Sequence, residues 1–159
     1  MSQATTDLSD THGDLIRHCA PLFRDFGGHT SFSGQIVTLK AFEDNTKVRE
    51  LLEMSGEGRV LVIDASGSLN CAMVGGNLGV LAEQNGWTGI VVNGCVRDTA
   101  ELKDCNVGIK ALAAHPKKTE KRGLGEVNVP VIFAGVTFAP DEWLYADGDG
   151  IIVSAQKLT

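Results

Sequence analysis

"GRVLVIDASG", residues 58–67, is a continuous apolar run that ends in turn residues. A strand with one wet face would alternate apolar and polar residues. Val60–Ile63 does not, which predicts a strand buried on both faces. "TGIVVNG", residues 88–94, has the same character. Between them "GGNLGVLAEQNGW", residues 75–87, reads as a loop and a short helix, with Asn77 as its cap and Gly86 as its stop. Strand, helix and strand make a βαβ unit, with two parallel strands and a right-handed crossover.

Working outward, "GQIVTLKAF" (34–42) alternates as a strand does. "EDNTKVRELLEMSG" (43–56) predicts a helix capped by Asp44 or Asn45 and stopped by Gly56, with Val48, Leu51 and Leu52 on one face. "VRDTAELKD" (96–104) predicts a second short helix. "NVGIKALAA", "VNVPVIFAGVTFAP" and "WLYADGDGIIVSA" are strand-rich and broken by Pro and Gly. The expected class is α/β: one compact domain over residues 1–159, with β-rich layers around a central βαβ unit rather than a regular doubly wound sheet.

The chain has 159 residues. A domain of that size buries roughly 70% of its unfolded surface and holds a core without disulfides or a structural metal. Cys19, Cys71, Cys95 and Cys105 form no CxxC pair and suit buried thiols in a reducing compartment. The N-terminal "MSQATTDLSDTHGD" has neither a basic n-region nor an apolar h-region, and no apolar run is long enough to span a bilayer. A cytoplasmic location is expected. Net charge of -6 argues against a direct nucleic-acid binder, which needs clustered Lys and Arg for phosphate. The one basic run, "HPKKTEKRG" (115–123), contains Glu120 and no aromatic residue, and reads as a solvated loop.

Two loops carry candidate chemistry. "GGNLG", residues 75–79, is either a tight strand-to-helix turn or an anion site, in which glycines admit a small ligand to free N–H groups at a helix start. It does not meet the GxGxxG pattern of dinucleotide loops. Arg97 and Asp98 end the second strand of the same unit. They are either a surface ion pair or a site, because both loops leave the carboxyl ends of neighbouring parallel strands, where open α/β sheets place ligands. An arginine fork grips a carboxylate, and an aspartate holds a hard divalent cation. Together they suit a small 2-oxo acid. "ADGDG" (146–150) lacks the glutamate of a calcium loop and reads as a hairpin turn.

"GGNLGVLAEQNGWTGIVVNGCVRD" (75–98) resembles the core of the 4-hydroxy-4-methyl-2-oxoglutarate aldolase and regulator of ribonuclease activity A family. The family pattern is a glycine, twenty residues, Arg-Asp, two residues and an acid; Gly76, Arg97, Asp98 and Glu101 match it. The resemblance extends through "FGGHTSFSGQIVTLKAFEDN" (26–45) and "FAGVTFAPDEWLYADGDGIIVS" (133–154). It implies a β/β/α swivelling-type fold, a homotrimer or hexamer, and a site at a subunit interface. It also implies that the backbone of Gly75, Gly76, Asn77 and Leu78 binds a pyruvyl carboxylate, that Arg97 binds substrate oxygen, and that Asp98 ligates Mg2+ or Mn2+. It gives Glu101 no role. One departure stands out. Active aldolases of the family often carry an acid in the glycine loop, where this chain has Asn77. The activity implied is metal-dependent retro-aldol release of pyruvate, with oxaloacetate decarboxylation beside it. The alternative is a non-catalytic trimer that binds and inhibits a ribonuclease.

Overall fold

The computed structural model describes residues 3–159; Met1 and Ser2, which open the N-terminal segment read above, lie outside the described residues. From the amino end, helix α1 (Thr5–His12) and a 3-10 turn (Gly13–Leu15) lead into β1 (Ile16–His18) and β2 (Arg24–Asp25). Next come β3 (Phe32–Lys40), α2 (Thr46–Leu52), β4 (Val60–Asp64), β5 (Ala72–Val74), α3 (Gly76–Gln84) and β6 (Gly89–Val96). After α4 (Thr99–Leu102) come β7 (Gly108–Ala114), β8 (Glu126–Val127) and β9 (Val131–Phe133). The chain ends with β10 (Val136–Phe138), β11 (Trp143–Asp147) and β12 (Gly150–Ser154).

The two apolar runs behave as expected. Strands β3, β4, β6 and β7 pair in parallel in that order. Every residue of β4 is buried, and its side chains alternate between two cores: Leu61 and Ile63 face one, Val60 and Val62 the other. That is why its sequence shows no polar alternation. Helices α2, α3 and α4 cover the first core through Val48, Leu51, Leu52, Leu78, Ala82 and Leu102. The same sheet continues from β3 through β11, paired antiparallel with it, to β12; together with the separate β9–β10 hairpin these strands build the core on the other face, through Phe133, Phe138, Leu144 and Val153 among others. The result is a layer of helices on a mixed sheet whose parallel centre is extended by antiparallel strands, with the β9–β10 hairpin against its other face.

The sheet curls enough for its halves to meet at one lysine. Lys110 of β7, 3% exposed, donates to the Asp147 carbonyl of β11 at 2.6 Å. Its Nζ also lies 3.1 Å from Asp25 of β2. Gly89 and Gly108, register partners in β6 and β7, leave a slot for the Phe32 ring; a Cβ on either would come within 2.2 Å of it.

Several local readings need correction. Neither α1 nor β5 is expected from the sequence. Helix α1 buries only Thr5 and Leu8, so it has almost no apolar period. Strand β5 is three residues long and hides inside an apparent loop. Asn77 is not a cap: Gly75 takes that position, and Asn77 lies in the first turn of α3. Gly56 does not stop α2, which ends at Leu52. Gly56 instead lets the chain pass Trp87, whose backbone nitrogen would sit 2.5 Å from a Cβ there. Among the described residues, no helix is long and apolar enough to cross a membrane.

Candidate active site

Strand β5 continues the line of β4 along the carboxyl half of β6. Val74 of β5 pairs with Val96 of β6, so the chain leaves both strands at one level. The Arg97 N–H donates to the Val74 carbonyl at 2.9 Å and fixes the two exits together. The register shifts on both sides of this end of β6, a disruption typical of sheets beside functional sites. Gly75–Leu78 and Arg97–Asp98 therefore meet, as the sequence predicts.

Asp98 adopts a left-handed conformation, φ 57° and ψ 48°, at the start of α4. Such a residue costs of order 1 kcal/mol and persists only where its surroundings hold it. Here its Oδ2 accepts the Gly76 N–H at 2.9 Å. A Cβ on Gly75 would lie 2.9 Å from that oxygen and 3.4 Å from Arg97 Cγ and Nε. A Cβ on Gly76 would lie 2.0 Å from Glu101 Oε2. The spacing of Gly76, Arg97, Asp98 and Glu101 is thus a set of contacts: each glycine is bare because a charged side chain lies across it.

The surface ion-pair alternative fails. Among the described residues Arg97 and Asp98 form no salt bridge with each other; Arg97 Nη1 reaches the Pro116 carbonyl at 3.4 Å. The anion-site reading of the glycine loop needs one adjustment. The Gly76 N–H is committed to Asp98, which leaves the N–H groups of Asn77 and Leu78 as the donors at the positive end of α3.

A cleft of about 110 Å³ opens at this point, against roughly 10–15 Å³ for a single water. Gly75, Gly76, Asn77, Leu78, Arg97 and Asp98 line it. It is lined as well by Asn45, Arg49, Lys118, Thr119 and Lys121. The sequence reading assigns none of these five to a site, and the basic run 115–123 is more than a solvated loop. Its Thr119 is buried and donates to Asn45 Oδ1 at 2.8 Å, while Asn45 Nδ2 donates to the Met73 carbonyl at 3.1 Å. The Ala72 N–H donates to the Lys117 carbonyl at 2.8 Å. Asp44 accepts from the Arg122 and Leu124 N–H groups at 2.8 and 3.0 Å, and from Thr46. Burial alone would push the Asp44 carboxyl up, but the hydrogen bonds from Thr46, Leu124 and Arg122 outweigh it and hold it at about 2. A basic run in an acidic chain was the available signal.

A divalent cation fits one place. Asp98 has one oxygen on Gly76 and a second oxygen with no hydrogen-bond partner among the described residues, at the edge of the cleft. Among those residues no three His, Cys, Asp or Glu side chains gather, so a closed zinc-type site is absent. A single carboxylate completed by water and substrate oxygens suits Mg2+ or Mn2+.

The RraA-like family (Aldolase/RraA) matches residues 5–153. A Burkholderia multivorans protein, provisionally named 4-hydroxy-4-methyl-2-oxoglutarate aldolase, is 58% identical over all of both chains. The RNA-processing inhibitor RraA from Thermus thermophilis superposes with a TM-score of 0.96 at 45% identity, covering 100% of this chain and 96% of that one. A Geobacillus kaustophilus structure, described as an S-adenosylmethionine: 2-dimethylmenaquinone methyltransferase, gives 0.96 at 39% identity, covering 98% and 97%. Three names for one fold mean that activity has to be argued from the site.

Proposed function

We propose, from the premise that this chain belongs to the RraA-like (Aldolase/RraA) family, that it is a divalent-metal-dependent lyase. Its reaction is cleavage of a 4-hydroxy-2-oxo acid to release pyruvate. The observation that carries this reading is the convergence of the α3 N–H donors, Arg97 and Asp98 on one cationic cleft. The N–H groups of Asn77 and Leu78 bind the carboxylate of the pyruvyl half. Arg97 holds its 2-oxo oxygen. Asp98 holds Mg2+ or Mn2+, which when bound supplies Lewis acidity at that oxygen.

A base takes the C4 hydroxyl proton, the C4 oxygen becomes the carbonyl of the departing half as the C3–C4 pair passes to the pyruvyl half, and the resulting enolate takes a proton at C3 to leave as pyruvate. Arg97 places a fixed positive charge where this negative charge develops, which favours the transition state over the ground state. Oxaloacetate leaves the same enolate when it loses carbon dioxide, so the site serves that reaction too. No Schiff-base lysine is required. The protein acts in the cytoplasm as one domain that assembles into trimers.

Asp98→Asn tests the reading. It keeps the shape and loses the charge that holds a hard cation. Metal-dependent cleavage and decarboxylation are expected to fall together while the protein stays folded. Wild-type rates in the variant would overturn the role of Asp98. The likeness to an RNA-processing inhibitor supports a second reading, a trimer whose acidic surface docks on a basic ribonuclease. Under that reading Asp98→Asn still inhibits the ribonuclease.

A further inference from the structure

We infer that a cavity lined by β3, β11, the 57–59 turn and Lys157 is a second ligand site, for a nucleoside monophosphate whose base stacks on Trp143 and whose phosphate is held by Arg59 and Lys157. It lies at the amino ends of β3 and β4, whereas Arg97 and Asp98 follow the carboxyl end of β6. The inference is therefore independent of the lyase reading.

The cavity measures about 330 Å³, against about 110 Å³ for the cleft at Arg97, and falls within the size range of small-molecule sites. Its floor is two cross-strand pairs, Trp143 beside Gln35 and Tyr145 beside Ser33. Its wall is fixed. Gly34 is bare because the 57–59 turn lies across it: a Cβ there would meet the Gly58 carbonyl oxygen at 2.4 Å. Glu57 takes a left-handed φ of 54° to make that turn, a conformation that residues with side chains hold only where their surroundings impose it. Arg59 is held in three ways. Its Nε donates to the Gly56 carbonyl at 2.9 Å, its Nη2 donates to the Ser55 carbonyl at 2.9 Å, and the guanidinium lies 5.3 Å over the Trp87 ring. Those bonds use two of its five N–H groups and leave the rest of a preoriented fork to a ligand.

The lining states what the ligand carries. Among the described residues Arg59, Lys157 and Glu57 belong to no salt bridge, although the chain has 20 acidic residues against 14 Lys and Arg. Lys157 Nζ instead caps the Trp143 ring at 5.2 Å, on a tail pinned by the Leu158 N–H, which donates to the Tyr145 hydroxyl at 2.8 Å. A flat base takes that ring face in place of the ammonium, which then turns to the phosphate. The Arg59 fork meets phosphate oxygens in two places, as a guanidinium does best. Gln35 spends its Nε2 on the Asp141 carbonyl at 3.0 Å and keeps Oε1, with Glu57 beside it, to accept from an amine on the base edge. Two cations suffice for one phosphate and are too few to follow a polynucleotide, which agrees with the net charge of -6.

Titration calorimetry on the full chain tests this with AMP, with adenosine, which lacks the phosphate, and with ribose 5-phosphate, which lacks the base. AMP is expected to bind with a Kd below roughly 1 mM, at least about 10-fold more tightly than either fragment. Trp143→Leu is expected to weaken AMP by roughly 5- to 100-fold, the worth of one stacked base. Arg59→Met is expected to weaken it by roughly 10- to 100-fold, the worth of hydrogen bonds to a charged group. Arg59 also fastens the backbone at Ser55 and Gly56, so Lys157→Met, on the exposed tail, serves as the second variant: it should cost affinity for AMP and none for adenosine. No binding of AMP, or equal affinity for AMP and either fragment, overturns the inference. So does an AMP affinity that is lost in Arg97→Met and kept in Trp143→Leu, which would place the phosphate in the cleft at Arg97.

Discussion

Gly75→Ala separates the site from the fold. The backbone at Gly75, φ -119° and ψ -172°, is extended and open to any residue, so alanine meets no backbone strain. The lost flexibility of the unfolded chain is worth about 0.4–1 kcal/mol in favour of the variant. The new Cβ, however, meets Asp98 Oδ2 at 2.9 Å, with Arg97 Cγ and Nε each at 3.4 Å. Carbon and oxygen keep roughly 3.3 Å apart even in close contacts, so the carboxylate has to retreat by a few tenths of an ångström. That loosens the 2.9 Å bond from Gly76, which belongs to a class worth about 1.5–3 kcal/mol. Losing half of it, with the metal ligand displaced, lowers kcat/KM by about 10-fold, or roughly 1.4 kcal/mol. The melting temperature should stay within about 3 °C of wild type, because 1 kcal/mol moves a domain of this size by that much. Pyruvate release under a magnesium titration, set beside a thermal melt, reads both quantities. Full activity at every metal concentration would refute the contact argument, and a collapsed melt would show that Gly75 serves the fold.

Three further outcomes follow from particular residues. Arg97→Lys replaces a fork with a point charge and is expected to cost roughly 10²- to 10³-fold in kcat/KM; near-wild-type kinetics would remove Arg97 from the oxyanion role. Gly108→Ala drives a Cβ to within 2.0 Å of the Phe32 ring and should destabilise by about 3 kcal/mol in urea unfolding, the upper range for overpacking; a change below about 0.5 kcal/mol would mean the slot is slack. Asp44 is depressed from 3.8 to about 2, so its contribution is present above pH 4 and fades as pH falls towards 2. The wild type should exceed Asp44→Asn in stability at neutral pH and lose that margin near pH 2, and a constant margin would contradict the hydrogen-bond account.

The parts of this molecule legible in its sequence are those fixed by neighbours in the chain. "VLVI" and "IVV" declare strands buried on both faces, because burial removes any polar alternation. The two loops could be placed together because both follow the carboxyl ends of neighbouring parallel strands, although β5, the three-residue strand that delivers Gly75, was not visible in the sequence. The contribution of the 115–123 segment to the cleft was not legible, because what fixes it is distant: Asp44 holds Leu124 and Asn45 holds Thr119, across more than seventy residues. Seen alone, "HPKKTEKRG" has every mark of a solvated segment. Glu101 was visible only as a spacing, because the fold alone brings its carboxylate across Gly76, where a Cβ would lie 2.0 Å from Oε2.

Pyruvate release from 4-hydroxy-4-methyl-2-oxoglutarate, followed with and without added Mg2+ or Mn2+, tests the central claim most directly. The account requires turnover that appears with metal, stops on chelation and returns when metal is restored. Absence of pyruvate from folded protein at saturating metal would contradict it.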